Sequence, residues 1–208
     1  PGTEGHPKGV TLTQSSYAST ARAVARALPL ASDDVHLLYL PLAQPFARLC
    51  LAVSFEASFV TAFGGGYRTV MRDCEHFRPT FLAGVPRLFE KVQGTLERER
   101  RRAPALERFV VNFALSEPDE GVPESPGIWG GLKRALASQF VTSRLREHLG
   151  GRIRFLISGG GALRVDTGRF FRAHDIEILE GYGMTETNAA THLNQLQDNR
   201  LGTVGRAL

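Results

Sequence analysis

The stretch Ile176-Glu177-Ile178-Leu179-Glu180-Gly181-Tyr182-Gly183-Met184-Thr185-Glu186-Thr187 begins as a strand and ends as a loop. Its first four residues have the length and branching of a buried strand. Two glycines flanking a tyrosine then form an edge where the backbone can approach a ligand closely. The Tyr182 ring offers a face to a planar base, and Thr185 can donate to a phosphate oxygen. Glu186 supplies the hard oxygen that Mg2+ prefers when it also holds substrate phosphates. A nucleotide fits these groups. The residues also allow a plainer reading, a Gly-rich turn before a helix with Thr185 as cap and Glu186 and Thr187 in the first turn.

Immediately before this stretch, residues 153–157 read as another strand, ending in Ser158-Gly159-Gly160-Gly161, and residues 166–174 as a helix. Two parallel strands thus both end in glycine-rich loops, and a planar base can lie with Gly160 and Gly161 under one face and Tyr182 on the other. Further upstream, residues 12–30 carry Ala18, Ala21, Val24, Ala25 and Leu28 at helical spacing. Residues 35–40 form an apolar strand that Pro41 stops. The following loop, with Gln44 and Phe46, should sit at that strand's carboxyl end, where ligands bind in open α/β sheets. Residues 47–62 read as an apolar helix, 67–71 as a short strand, 73–77 as a short helix and 80–83 as a strand. The alternation predicts an α/β fold, a mainly parallel sheet flanked by helices with right-handed crossovers.

A helical region of about residues 86–149 interrupts the strands. Pro86 sits well at the first turn of a long helix with Leu88, Phe89, Val92 and Leu96 on one face. Helices over 105–115 and 129–149 follow, separated by a surface loop rich in Pro, Glu, Asp and Gly at 116–127. The run Glu97-Arg98-Glu99-Arg100-Arg101-Arg102 has two readings. One is a patch for lipid headgroups, a peripheral membrane contact. The other is a solvated helix end whose cations offset the negative dipole.

At the amino end, Gly2-Thr3-Glu4-Gly5-His6-Pro7-Lys8-Gly9 has the composition of a loop whose N–H groups and ammonium surround a polyphosphate. It lacks the Gly-Lys-Ser/Thr helix start of a Walker A loop. Taken with Glu180 to Thr187, it resembles the adenylate-forming superfamily. Intervening segments narrow the resemblance to the long-chain fatty acyl-CoA synthetase branch. They are Tyr39-Leu40-Pro41-Leu42-Ala43-Gln44-Pro45-Phe46, Phe81-Leu82-Ala83-Gly84-Val85-Pro86-Arg87-Leu88-Phe89-Glu90-Lys91-Val92, Arg154-Phe155-Leu156-Ile157-Ser158-Gly159-Gly160-Gly161-Ala162-Leu163 and Gly202-Thr203-Val204-Gly205-Arg206.

The resemblance implies two half-reactions. A fatty acid's carboxylate attacks the α-phosphorus of ATP, giving an acyl-adenylate and pyrophosphate; the thiol of CoA then displaces AMP. It also implies roles. Thr3 and Lys8, with the backbone of Gly2 and Gly5, would take the β- and γ-phosphates. Thr185 would contact the α-phosphate and Glu186 would hold Mg2+. Gly160, Gly161, Glu180, Gly181, Tyr182 and Gly183 would frame adenine. The acyl chain would pass Gln44, Phe46, Gly84 and Val85. The chain then reads as a central piece of a large N-terminal AMP-binding domain, with the phosphate loop at 2–9 and the adenine and metal motif at 158–187. The ribose-binding aspartate, the hinge and the small C-terminal domain with its lysine lie beyond Leu208 in that family, so the isolated piece is expected to be inactive.

Composition narrows the partners less. A net charge of +4 and a pI near 9.5 suit anions, whether nucleic acid, lipid headgroups or the phosphates of ATP and CoA. Aromatic residues are not interleaved on a basic face as single-strand binders require, which argues against nucleic acid. Cys50 and Cys74 make no disulfide framework, so a reducing, cytoplasmic setting is the default. No apolar run approaches the ~20 residues of a membrane span.

Departures from the family pattern keep a second function open. Gln44 stands where a histidine is usual and donates only neutral hydrogen bonds. Glu4 places a carboxylate near the expected triphosphate. These favour a nucleotide- or acyl-binding regulatory module without catalysis, whereas Lys8, Thr185 and Glu186 favour a ligase.

Overall fold

The computed structural model describes residues 9–102 and 142–208. Helix α1 spans Gln14–Ala27; Thr13 caps it, its side chain accepting from the Ser16 N–H. Strand β1 (Val35–Leu38), helix α2 (Pro45–Ala57), strand β2 (Val60–Phe63), helix α3 (Val70–Phe77), strand β3 (Phe81–Gly84) and helix α4 (Pro86–Arg102) follow in turn. After a helical segment at 142–148 come β4 (Phe155–Ser158), helix α5 (Val165–Arg172) and β5 (Glu177–Tyr182). Two-residue strands β6 (His192–Leu193) and β7 (Arg206–Ala207) complete the chain.

Among the described residues the strands form a seven-stranded sheet in the order β2-β1-β3-β4-β5-β6-β7. The first five run parallel; β6 and β7 are antiparallel additions, with Tyr182 opposite His192 and His192 opposite Ala207. Side-chain alternation divides the core into two layers. Leu82, Leu156 and Ile178 face α3, α4, α5 and the 142–148 segment. Phe81, Ala83, Phe155, Ile157 and Leu179 face α1 and α2. On that second face His36, Phe81 and Phe155 stack at centroid spacings of 4.9 and 5.4 Å, with Phe59 edge-on at 5.1 Å from Phe81.

The mainly parallel sheet flanked by helices is the architecture expected from the alternating pattern, with local corrections. The apolar run 47–62 is not one helix. It stops at Ala57, Ser58 turns left-handed, and the β-branched pair Val60 and Thr61 starts the edge strand β2. Residues 67–71 are not a strand: they form a turn and the start of α3, anchored by Asp73, whose carboxylate accepts from the Thr69 hydroxyl at 2.7 Å and the Gly65 N–H at 2.9 Å. Strand β5 runs two residues past Glu180, because Gly181 and Tyr182 find ladder partners in β6. The expected helix at 105–115, the surface loop at 116–127 and most of the helix at 129–149 lie outside the described residues. So do Gly2, Thr3, Gly5 and Lys8 of the phosphate loop. Among the described residues no helix is long and apolar enough to cross a membrane.

Candidate nucleotide and acyl site

Strands β3, β4 and β5 run parallel in near register, so their carboxyl ends present three loops side by side. After β4, the chain leaves Ser158 through Gly159 and Gly160. Gly160 has φ +79°, a left-handed conformation that a side chain would resist. After β5, Gly183 passes so close to the Ala189 carbonyl that a Cβ there would overlap it. Gly183 is therefore fixed by backbone packing. The turn Thr185–Thr187 that follows is a single 3-10 turn, with the Met184 N–H donating to Thr187 Oγ1 at 3.1 Å. It is shorter than the helix start the residues alone allowed, because Asn188 turns left-handed and ends it.

Beneath these loops lies a cavity of about 320 Å³ between the sheet and helices α1 and α2. It reaches from Tyr182 and Thr185 at the carboxyl edge to Phe81 and Phe59 at the other end of the strands. That is the length of β3, about 13 Å at the usual strand rise. The inner wall is apolar, built from Val24, Leu28, Leu49, Val53, Phe59 and Phe81. The polar groups gather at the mouth, as an amphipathic ligand with a buried tail requires.

Of the expected site residues that the structure describes, the larger part meet here. Gln44, Phe46, Val85, Gly160, Gly181, Tyr182, Gly183 and Thr185 all line the cavity. Gly160 and Tyr182 share one cleft, the arrangement a sandwiched base would need. Tyr182 is half exposed. Four others sit differently. Gly84 is buried, and a Cβ there would meet the Tyr39 hydroxyl and Leu88 on the opposite face of the sheet. Gly161 is exposed beside Pro86, outside the cavity lining. Glu180 is 7% exposed, and its carboxylate accepts the Leu163 N–H at 2.8 Å, so its side chain ties the 159–163 loop to β5. Glu186 projects into solvent on the 3-10 turn.

The carboxylate of Glu186 and the hydroxyl of Thr185 make no hydrogen bond to any other described residue, which leaves their oxygens available to a ligand. Among the described residues no group of three or more His, Cys, Asp or Glu could cage a metal. A lone carboxylate suits Mg2+ only where that ion keeps several waters and takes its other ligands from substrate phosphates. Helix α1 and His192 were not foreseen as parts of the site. Helical spacing marks α1 as packing, without saying on what. His192 reaches the cavity only through the β5–β6 pairing, for which the local sequence carries no signal.

The comparisons agree with this architecture. The family model described as AMP-binding enzyme matches residues 2–208. Over 99% of its length the chain is 32% identical to the long-chain-fatty-acid–CoA ligase FadD15 of Mycobacterium tuberculosis, covering 35% of that protein. It is also 32% identical to long chain acyl-CoA synthetase 1 of Arabidopsis thaliana, over 98% of the chain and 32% of the relative. The chain thus spans about a third of the length of the curated relatives it matches. Among solved structures, the anthranilate CoA ligase AuaEII in complex with anthranoyl-AMP superposes over 100% of this chain and 32% of its own, with a TM-score of 0.66 at 20% identity. The N-terminal domain of FACL13 from Mycobacterium tuberculosis superposes over 99% of this chain and 41% of its own, at 0.63 and 21%. With a model match over nearly its whole length, the chain belongs to the AMP-binding enzyme family.

Proposed function

We propose that this chain supplies the nucleotide and acyl site of an ATP-dependent fatty acid–CoA ligase. The observation that carries the reading is the junction of an apolar cavity, running under α1 and α2, with two glycine-rich loops at the carboxyl ends of β4 and β5. An acyl chain fills the apolar part and places its carboxylate at the mouth. Adenine lies between Gly160 and Tyr182, which brings the α-phosphate toward Thr185. Similarity to ligases named for long-chain fatty acids supports the substrate class.

The work of the site is positioning and charge neutralisation. The apolar wall holds the acyl tail, and the mouth brings carboxylate and α-phosphorus together. The Thr185 hydroxyl donates to the α-phosphate, and Lys8 with the 2–9 loop neutralises the β- and γ-phosphates that leave as pyrophosphate. Glu186 is the residue that would hold Mg2+, which when bound draws charge from the phosphate oxygens. CoA enters as the second nucleophile once the adenylate has formed. Glu180 holds the two loops at a fixed separation through Leu163, and so frames the adenine site from behind.

The deciding measurement is ATP–pyrophosphate exchange by the full-length protein across acids of increasing chain length. Exchange is expected with fatty acids and not with short acids such as acetate, because only a long tail fills the cavity. Failure of every fatty acid to support exchange would refute the ligase reading in favour of a non-catalytic binding module.

A further inference from the structure

A fatty acid is an anion, and an anion entering an apolar cavity must replace the hydration it loses. The described residues that line this cavity include no lysine or arginine. His192, on β6 and half-buried beside Tyr182, is the one lining residue among them that can carry a positive charge.

Its surroundings determine how it can bind. The Thr191 hydroxyl donates to the Tyr182 carbonyl at 3.3 Å and lies 3.0 Å from His192 Nδ1. With its one proton on that carbonyl, the hydroxyl can only accept from the ring, the arrangement in which Nδ1 carries a hydrogen. That leaves Nε2 to meet a ligand, and Nε2 has no hydrogen-bond partner among the described residues. The Tyr182 carbonyl that anchors Thr191 also accepts the Thr191 N–H at 2.8 Å. The imidazole is thereby tied to the same strand that presents the nucleotide loop.

We propose that His192 is the carboxylate-binding residue of this site, holding one oxygen of the fatty acid through Nε2–H as an imidazolium. The proposal rests on the ligase reading for its substrate class. Charge balances within the pair: the fatty acid enters as its carboxylate, Nε2 takes its proton from water, and the two opposite charges meet at the mouth. One oxygen accepts from Nε2–H while the other keeps a lone pair free for the α-phosphorus. Gln44, also on the cavity wall, offers only a neutral donor.

The test uses the full-length protein without ATP and measures, by calorimetry, the affinity for dodecanoate and for dodecanamide, which has the same tail and no charge. Wild type is expected to prefer dodecanoate by about tenfold, the difference between a charge-assisted and a neutral hydrogen bond. His192→Gln keeps a neutral donor and is expected to abolish the preference while leaving dodecanamide binding within about twofold. Thr191→Val leaves the imidazole but frees Nδ1 and is expected to lower the preference about threefold. Should His192→Gln fail to fold, the wild-type ratio and Thr191→Val decide the matter. Equal binding of the two ligands by wild type, or an undiminished preference in either folded variant, overturns the role of His192. Acid-dependent pyrophosphate exchange by wild type separates the two ideas. Exchange with an unchanged preference in the variants refutes His192 and keeps the ligase. A preference that depends on His192 without exchange does the reverse.

Discussion

Glu186 and Gly183 stand three residues apart and serve opposite ends of the same loop. Glu186 is exposed and unbonded, so nothing in the fold requires its carboxylate. Glu186→Gln is therefore expected to leave thermal stability unchanged while adenylation, followed as pyrophosphate exchange by the full-length protein, falls at least ~100-fold. Unaltered exchange would make Glu186 an ordinary turn residue. Gly183 is the converse case, needed by the fold before any ligand arrives. Gly183→Ala drives a methyl into the Ala189 carbonyl and is expected to cost about 2–3 kcal/mol, seen as a lowered melting temperature. The loop that carries Thr185 shifts with it, so exchange falls as well.

Among the elements, the strands are held at their amino ends by Asp34, just before β1. Its carboxylate is 3% exposed; it accepts the Ala31 N–H at 2.8 Å and the Thr80 hydroxyl, and pairs with Arg154 just before β4. One side chain thus joins the entrances of β1, β3 and β4, the strands that carry the cavity wall. Asp34→Ala orphans the Ala31 N–H and one face of Arg154, and is expected to cost about 2 kcal/mol in denaturant unfolding. Arg154 is partly exposed, which keeps the loss below that of a fully buried pair. The contrast is Asp166→Ala on α5, whose pair with Arg169 at 3.5 Å is exposed on both sides. Its expected effect is under about 0.5 kcal/mol. Equal losses in the two variants would show that Asp34 is not a clamp.

Over the whole molecule, the buried imidazoles link stability to acidity. His36 lies fully inside the aromatic stack, and burial pushes its pKa down to about 3. Burial also lowers that of His174. An unfolded histidine protonates near pH 6.5, so between about 6.5 and 3 the unfolded chain binds a proton that folded His36 refuses. Stability therefore rises with pH across that window and is lost toward acid, by up to ~1.4 kcal/mol per pH unit for His36. His36→Phe preserves stacking on Phe81 and is expected to flatten this slope in urea melts between pH 6 and 4. A slope as steep as wild type would assign it to other groups. Asp73 adds a separate loss at lower pH. The Thr69 hydroxyl and the Gly65 N–H depress its carboxyl, so its contribution is present above the ordinary carboxylate range and disappears as pH falls below it.

Local patterns determined much of this protein by themselves. Apolar runs bounded by Pro and Gly placed β1, β3, β4 and β5 within a few residues, because a buried parallel strand must be apolar along its length. Gly160 and Gly183 were legible as positions where the backbone turns or packs tightly, which calls for the same residue as ligand approach would. What failed was what one-dimensional spacing cannot hold. A run of apolar residues continues across Ser58 whether the chain stays helical or reverses into an edge strand, and only pairing with β1 decides that Val60–Phe63 is a strand. Gly84 and Val85 are neighbours in sequence, yet the pleat turns one toward Tyr39 and the other toward the cavity. The place of Glu180 in the motif says nothing of Leu163, whose N–H its carboxylate accepts across the two loops in the tertiary structure. His192 and the inner wall from α1 join the site by packing across the sheet, at separations over which the residues carry no local signal. Composition and period select which segments are buried; the sheet order and the pleat decide what each buried face meets.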